Sequence, residues 1–400
     1  MPHLSRATGD PPIPRLRLAF VSAIISLAAA FAASASPIPL FNTYRAEDGL
    51  SNAGIALAVV AYFVGTITAL LVLGRLSGHI GRRPAAIATL VLLGAGAAML
   101  LDVQSILSLV VGRMLMGLGA GLASSGLTSY IVDAAPTTPV WLASVASSQA
   151  PMLGLTVGAV GSGALVEYAP WPRTLVYLVV MVMLAGCAVL IAVSPETAPR
   201  RPGAWASLRP RVHVPARARH LVPVAAVVFL ATWAMGAFYQ GFVPALTVDQ
   251  LGTRNALVIG LVFAAYMAPS VLGAPLGGRF SPAAAQRLGM SIFLAGMVSI
   301  VAALAIGGLS LFIAASLIAG AGQGIAVSAS IRGLLHGSSV IDRAPIFAAV
   351  YLLSYTGAAI PSLVSGQLSH SFSLFQITFG YATLAAVATV VTLVAARNPN

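Results

Sequence analysis

Between Arg287 and Arg332 lie 44 residues without one formal charge. A membrane-spanning helix needs about 20 predominantly apolar residues. The stretch therefore holds two spans, with Gly307-Gly308 and Ser310 supplying the turn between them. Similar runs recur along the chain, and helices are predicted at about 18–41, 52–73, 84–101, 105–131, 141–165, 173–193, 221–247, 255–277, 288–307, 310–332, 345–367 and 372–396. Of 400 residues, 58% are hydrophobic and 8% charged, against roughly 25% charged in soluble chains. That balance excludes a soluble enzyme, a nucleic-acid binder and a disordered chain as whole-chain readings. The apolar runs are continuous rather than alternating, which argues against a membrane β-barrel. Leu18 to Phe41 outruns the roughly 7–15 residues of a signal-peptide core, so a retained first helix is expected. Cys187 is the single cysteine, so no internal disulfide forms, and a buried inert thiol is expected.

Every basic residue is arginine, 21 in all against nine acids, a formal charge of +12. When the helices alternate from a cytoplasmic N-terminus, 17 arginines fall on the cytoplasmic side. Arg45, Arg173 and Arg254 fall outside, and Arg113 alone lies within a helix. Such asymmetry is what retention of positive loops produces, and it makes nucleic acid an unnecessary explanation for the excess charge. The expected location is a bacterial inner membrane, multi-pass, with both termini cytoplasmic.

The longest loop, 194–220, is rich in Arg and Pro and falls near the chain midpoint. The expected organisation is a cytoplasmic tail 1–17, a six-helix bundle 18–193, a linker 194–220, a second bundle 221–396 and a tail 397–400. An internal repeat supports the division. Gly74-Arg75-Leu76-Ser77 recurs as Gly278-Arg279-Phe280-Ser281, an offset of 204, and Gly117, Gly119 and Gly121 recur as Gly320, Gly322 and Gly324, an offset of 203. Duplicated halves around a midplane site are a transporter architecture.

Three stretches carry a family resemblance. The loop Gly74-Arg75-Leu76-Ser77-Gly78-His79-Ile80-Gly81-Arg82-Arg83-Pro84 resembles the signature between helices 2 and 3 of the major facilitator superfamily. Gly78 stands where that family usually has Asp. The run Arg113-Met114-Leu115-Met116-Gly117-Leu118-Gly119-Ala120-Gly121 is similar to its helix 4 motif, and Ser194-Pro195-Glu196-Thr197 to its common helix 6 ending. In helix 5, Gly158-Ala159-Val160-Gly161-Ser162-Gly163 lacks the Pro of the antiporter signature. The resemblance implies an all-α membrane protein with twelve transmembrane helices in two pseudo-symmetric six-helix bundles, working by alternating access. It also implies a gating loop built on Gly74, Gly78, Gly81, Arg82 and Arg83, with Arg82 pairing to Asp133.

In this family helices 1, 4, 7 and 10 line the central cavity. The expected substrate or coupling residues are then Arg113, Trp233, Tyr239, Gln240, Gln323 and Tyr355, with Ser26, Ser34, Asn42, Tyr266, Ser328 and Tyr351 as further candidates. An ionisable group inside a span defaults to a functional reading. Arginine keeps its charge, so Arg113 binds an anion or tunes a neighbour. The glycines after it are expected to serve close helix packing. No acid lies deep in a span, which leaves Asp48 and Asp133 as the protonatable candidates. No P-loop or His-Glu-x-x-His pair is present, so neither an enzyme nor any cofactor is expected. The expected function is secondary active efflux of small amphiphilic compounds by a proton antiporter in the plasma membrane. The alternative is uptake or facilitated or exchange transport of a small metabolite, an anionic one included, and a non-transporting sensor or scaffold is the third reading. The partners expected are the bilayer, a small molecule and protons, with the chain acting as a monomer.

Overall fold

The computed structural model describes residues 13–136, 138–139, 142–210, 215–337 and 340–399. The first twelve residues of the expected tail, and Arg211 and His213 of the expected linker, lie outside that set. Among the described residues eleven helices are long and apolar enough to cross a membrane: α1 Arg15–Glu47, α2 Asn52–Leu73, α4 Ile106–Ala134, α5 Val145–Tyr168, α6 Pro172–Val193, α7 Ala216–Gly241, α8 Ala256–Gly277, α9 Pro282–Ile306, α10 Leu309–Leu335, α11 Ile346–Leu368 and α12 Leu374–Ala395. A further helix, α3 Arg82–Met99, opens on two arginines and is apolar only beyond them. The fold is thus an all-α, multi-pass membrane protein in two six-helix halves, α1–α6 and α7–α12.

Side-chain caps fix several helix starts. Ser51, Ser105, Asn255 and Ser281 each accept a hydrogen bond from the third residue beyond them, and Ser373 forms a reciprocal capping box with Gln376. Each such cap contributes about 1 kcal/mol. Gly307 ends α9 in the left-handed conformation at φ 68°, which a residue without Cβ adopts at little cost. The turn expected at Gly307-Gly308 is therefore present.

Several boundaries differ from expectation by a few residues, the seventh helix ending at Gly241 rather than 247 among them, and two of the differences have a clear local reason. The first span does not stop at 41. Its helix gives way after Ala35 to one 3-10 turn at Ile38–Leu40, beside Pro37 and Pro39, and resumes over Phe41–Glu47. The ninth begins at Pro282 rather than 288, because Ser281 caps it and proline suits a first helical position. Arg287 lies within the helix instead of before it.

Lipid tails are as apolar as leucine, so spans associate through close packing at small residues. The glycine repeat does this twice. A Cβ on Gly117 would overlap the Tyr62 carbonyl of α2, and one on Gly121 would sit 2.6 Å from the Thr66 carbonyl. In the second half, Gly320 meets the Tyr266 carbonyl of α8 and Gly324 that of Ser270. Tyr62 and Tyr266, like Thr66 and Ser270, are themselves related by the offset of 204. The middle glycines, Gly119 and Gly322, face α3 and α9 instead. Each half therefore packs its fourth helix between its second and third in the same register.

This geometry predicts a contrast between two single substitutions. Gly117→Ala forces α2 and α4 apart and costs about 1–3 kcal/mol. Gly94→Ala, whose Cβ meets nothing within 4 Å, leaves stability unchanged or slightly raised. Thermal unfolding of the two detergent-purified variants checks this.

Candidate functional site

Arg113 sits two turns into α4, and its side chain is fully buried. Its Nη1 donates to the Ser34 carbonyl of α1 at 2.7 Å, and its Nη2 to Gln240 Oε1 of α7 at 3.0 Å. The guanidinium lies 4.5 Å from the ring centroid of Tyr62 on α2. Among the described residues its Nε has no hydrogen-bond partner. Among the described residues no carboxylate forms an ion pair with it. The expected pair Arg113 and Gln240 is thus brought together. Ser34 contributes its backbone oxygen rather than its hydroxyl, which bonds back to the Ala30 carbonyl.

The remaining candidates form two other groups. Trp233 of α7 meets Tyr355 of α11 edge to face at 4.7 Å. Tyr355 also approaches Phe63 of α2 at 5.9 Å and Tyr351 at 6.1 Å. Phe63 in turn meets Tyr62 at 5.4 Å. A chain of rings therefore crosses from one half to the other and ends under the guanidinium. Tyr239 turns away from Arg113. Its ring stacks on Tyr266 at 4.4 Å and its hydroxyl bonds Ser316 of α10. Tyr266 hydroxyl reaches Gln323 Oε1 at 2.6 Å and the Thr232 carbonyl at 3.0 Å. Ser26 is buried, and Ser328 bonds within its own helix.

Tyr62 escaped the sequence reading although a signal existed, since it is the repeat partner of the named Tyr266. The repeat goes further. The offset of 203 carries Arg113 onto Ser316. In the second half the phenol of Tyr239 bonds Ser316 and lies over Tyr266, much as the guanidinium of Arg113 lies over Tyr62.

The halves are tied together on the face that carries few arginines. Asn42 Nδ2 of α1 donates to the Pro244 carbonyl just beyond α7 at 2.6 Å. Arg45 Nη2 pairs with Asp249 Oδ2 at 3.0 Å. Glu167, at the end of α5, accepts from the Ala256 amide that starts α8 at 2.8 Å. Nearby, Gly163 packs on the Ala256 carbonyl and Gly260 on that of Ala159. Toward the arginine-rich face the same two helices stay in contact and border a largely apolar groove of about 510 Å³, lined by Gln149, Leu153 and Thr156 of α5 and by Pro269 and Leu272 of α8. Asp48 lies on the arginine-poor face, where Arg173 grips it through both guanidinium nitrogens at 3.1 and 2.7 Å and also reaches Glu47 at 2.9 Å.

On the arginine-rich face the signature loop closes on its own half. Arg82 Nε pairs with Asp133 Oδ2 at 2.7 Å, and Arg82 Nη1 donates to Ser77 Oγ at 2.8 Å. Glu196 accepts from the amides of Arg82 and Arg83 at 2.8 and 3.1 Å, which satisfies two of the free N–H groups at the start of α3. Gly81 permits that approach: its φ is 104°, and a Cβ there would stand 2.6 Å from Glu196 Oε2. Gly74 ends the π-helical last turn of α2, and nothing lies within 4 Å of a Cβ on Gly78. Arg75 donates to the Ser207 carbonyl at 2.9 Å and to that of Arg209. The His79 carbonyl accepts from the Arg201 amide at 2.9 Å.

The family description "Major Facilitator Superfamily" matches residues 18–331, well over half of the chain, and the chain belongs to that family. It is a secondary transporter rather than an enzyme. No curated protein matches it in sequence. Among solved structures with the same fold is a POT family transporter in complex with 5-aminolevulinic acid, with TM-score 0.74, 13% identity, and coverage of 98% of this chain and 97% of that one. At that identity the likeness carries the fold. The expectation of an efflux antiporter is corrected to the coarser class: the structure that matches this fold end to end is described as a POT family transporter and not as an efflux antiporter. The fifth span carries its proline at Pro151, before the glycine run rather than within it.

The Arg82–Asp133 pair is half-exposed, with side-chain exposures of 18% and 31%. Partial exposure limits its worth to about 1 kcal/mol. Arg82→Ala and Asp133→Ala are expected to be non-additive by about that amount in a double-mutant cycle of thermal stability. Full additivity would show that the contact carries no energy.

Proposed function

We propose that this chain admits a small organic anion, a compact carboxylate, through alternating access, by facilitated entry or exchange. The observation that carries the reading is Arg113: a permanent charge, fully buried, whose contacts among the described residues are a carbonyl, an amide oxygen and an aromatic face, with its Nε unpartnered and no carboxylate paired to it. A charge inside a membrane protein costs a few kcal/mol unless something compensates it. An anion that enters the site supplies the missing countercharge through charge-assisted hydrogen bonds. The ring chain Tyr62–Phe63–Tyr355–Trp233 offers apolar faces beside it for the rest of a small molecule. The carboxylate of 5-aminolevulinic acid, bound by the structurally similar transporter, makes that compound a natural first probe.

Both acids named as protonatable are engaged with arginines, Asp48 with Arg173 and Asp133 with Arg82. That engagement favours facilitated entry or exchange over a proton relay through either. The arginine asymmetry supports an orientation with the arginine-rich face cytoplasmic. On that reading the contacts on the other face close the outer side.

The test is uptake by proteoliposomes of labelled 5-aminolevulinic acid, succinate and lactate, with a neutral sugar and a quaternary amine as controls. At least one carboxylate is expected to enter, and neither control. Arg113→Ala is expected to lose uptake by about ten- to a hundredfold, the worth of hydrogen bonds to a charged group, while still inserting into membranes. Unchanged uptake in Arg113→Ala, or entry of the amine alone, would sink the reading.

A further inference from the structure

Arg113 is held by both halves of the molecule, and the two holds differ in kind. The Ser34 carbonyl and the Tyr62 ring belong to α1 and α2, in the same half as Arg113 itself. Gln240 belongs to α7, in the other half. Arginine only donates hydrogen bonds, so the amide oxygen of Gln240 is committed to the guanidinium, and its side chain is buried there. Within ten residues of Gln240, the same stretch of chain carries the Pro244 carbonyl bound by Asn42 and the Asp249 carboxylate bound by Arg45. Any motion that breaks those two contacts by drawing this stretch away from α1 also withdraws Gln240 from Arg113.

We infer that Gln240 is a built-in competitor for the transported anion, which occupies Arg113 while the arginine-poor face is closed and yields it when that face opens. The inference rests on the reading of Arg113 as the anion site. With the face open, an entering carboxylate takes the place of the amide oxygen and gains a stronger, charge-assisted bond. Closure returns Gln240 to the guanidinium, and the displaced anion leaves toward the arginine-rich face, opposite the closed contacts of Asn42 and Arg45. A neutral amide suits this exchange. It satisfies the cation well enough to close the face, yet holds it less firmly than a carboxylate does. Charge at position 240 therefore sets the balance between closed and open states, and it does so without touching the transported molecule.

The test uses a reporter of outer-side opening in the full chain. Leu40, fully buried on the short segment that packs against α8 across the interface, is replaced by cysteine in a Cys187→Ser background. An impermeant maleimide is added outside right-side-out vesicles. Gln240→Ala, which removes the competitor, is expected to label about threefold faster or more. Gln240→Glu, which makes a permanent ion pair with Arg113, is expected to label about threefold slower or more. Millimolar 5-aminolevulinic acid or succinate is expected to speed labelling of the parent and to leave Gln240→Glu unchanged. Opposite shifts from two substitutions at one position distinguish a competitor from a general loosening of the fold. Equal labelling in all three proteins, shifts in the same direction, or acceleration by neither anion overturns the inference. Failure of the underlying anion reading is separate, since it appears as retained uptake in Arg113→Ala whatever position 240 does.

Discussion

The buried guanidinium of Arg113 sets the terms for the centre of this transporter. Arginine does not shed its proton in a protein, so burial has to be met by geometry rather than by neutralisation. Four helices meet that requirement: α4 supplies the charge, α1 a carbonyl, α2 an aromatic face and α7 an amide oxygen. None of these partners is charged, so the site remains electrically positive. The same requirement explains why the helices must come so close. Tyr62 reaches its place under the guanidinium only because Gly117, one turn along α4, lets the α2 backbone approach to contact.

The two halves share a scaffold and differ in what it holds. In each, a tyrosine backbone on the second helix rests on the first glycine of a three-glycine run in the fourth. In the first half that tyrosine's ring faces a cation. In the second, where serine replaces arginine, a neighbouring phenol fills the slot and completes a neutral network of Tyr239, Ser316, Tyr266 and Gln323. Pseudo-symmetry therefore governs packing, while the chemistry is one-sided. That is why Tyr239 and Gln240, adjacent in sequence, serve different neighbourhoods: successive helical residues point about 100° apart, one into its own half and the other across to Arg113.

Much of this was legible in the sequence, and the remainder was not for definite reasons. Span length and the absence of charge located the helices, and the repeat offset paired their glycines. Prolines at 37 and 39 blurred the end of the first span, because a 3-10 turn lets a helix continue past a break that composition marks as an end. Arg113 and Gln240 were identifiable as polar groups on cavity-lining helices of a resembled family. The Ser34 carbonyl was not, since a backbone acceptor leaves no trace in residue type. The cross-face contacts of Asn42, Arg45 and Glu167 were equally hidden, because sequence shows a polar group but not its partner 202, 204 or 89 residues away. The expected efflux direction rested on family analogy rather than on any residue, and the fold shared with a POT family transporter does not carry it.

The loop between the halves is shorter in effect than in sequence. Arg75 and His79 stitch its first part, through Arg209, to the first half, while Arg217 donates to the Gly337 carbonyl of the second. Only the eight steps from Arg209 to Arg217 are left to span the divide, and a chain reaches at most about 3.5 Å per residue. The two bodies are thus leashed: on the arginine-rich face their anchor points cannot separate by more than about 28 Å. The length of that connection, whatever the residues within it, therefore caps how far apart those two points can stand.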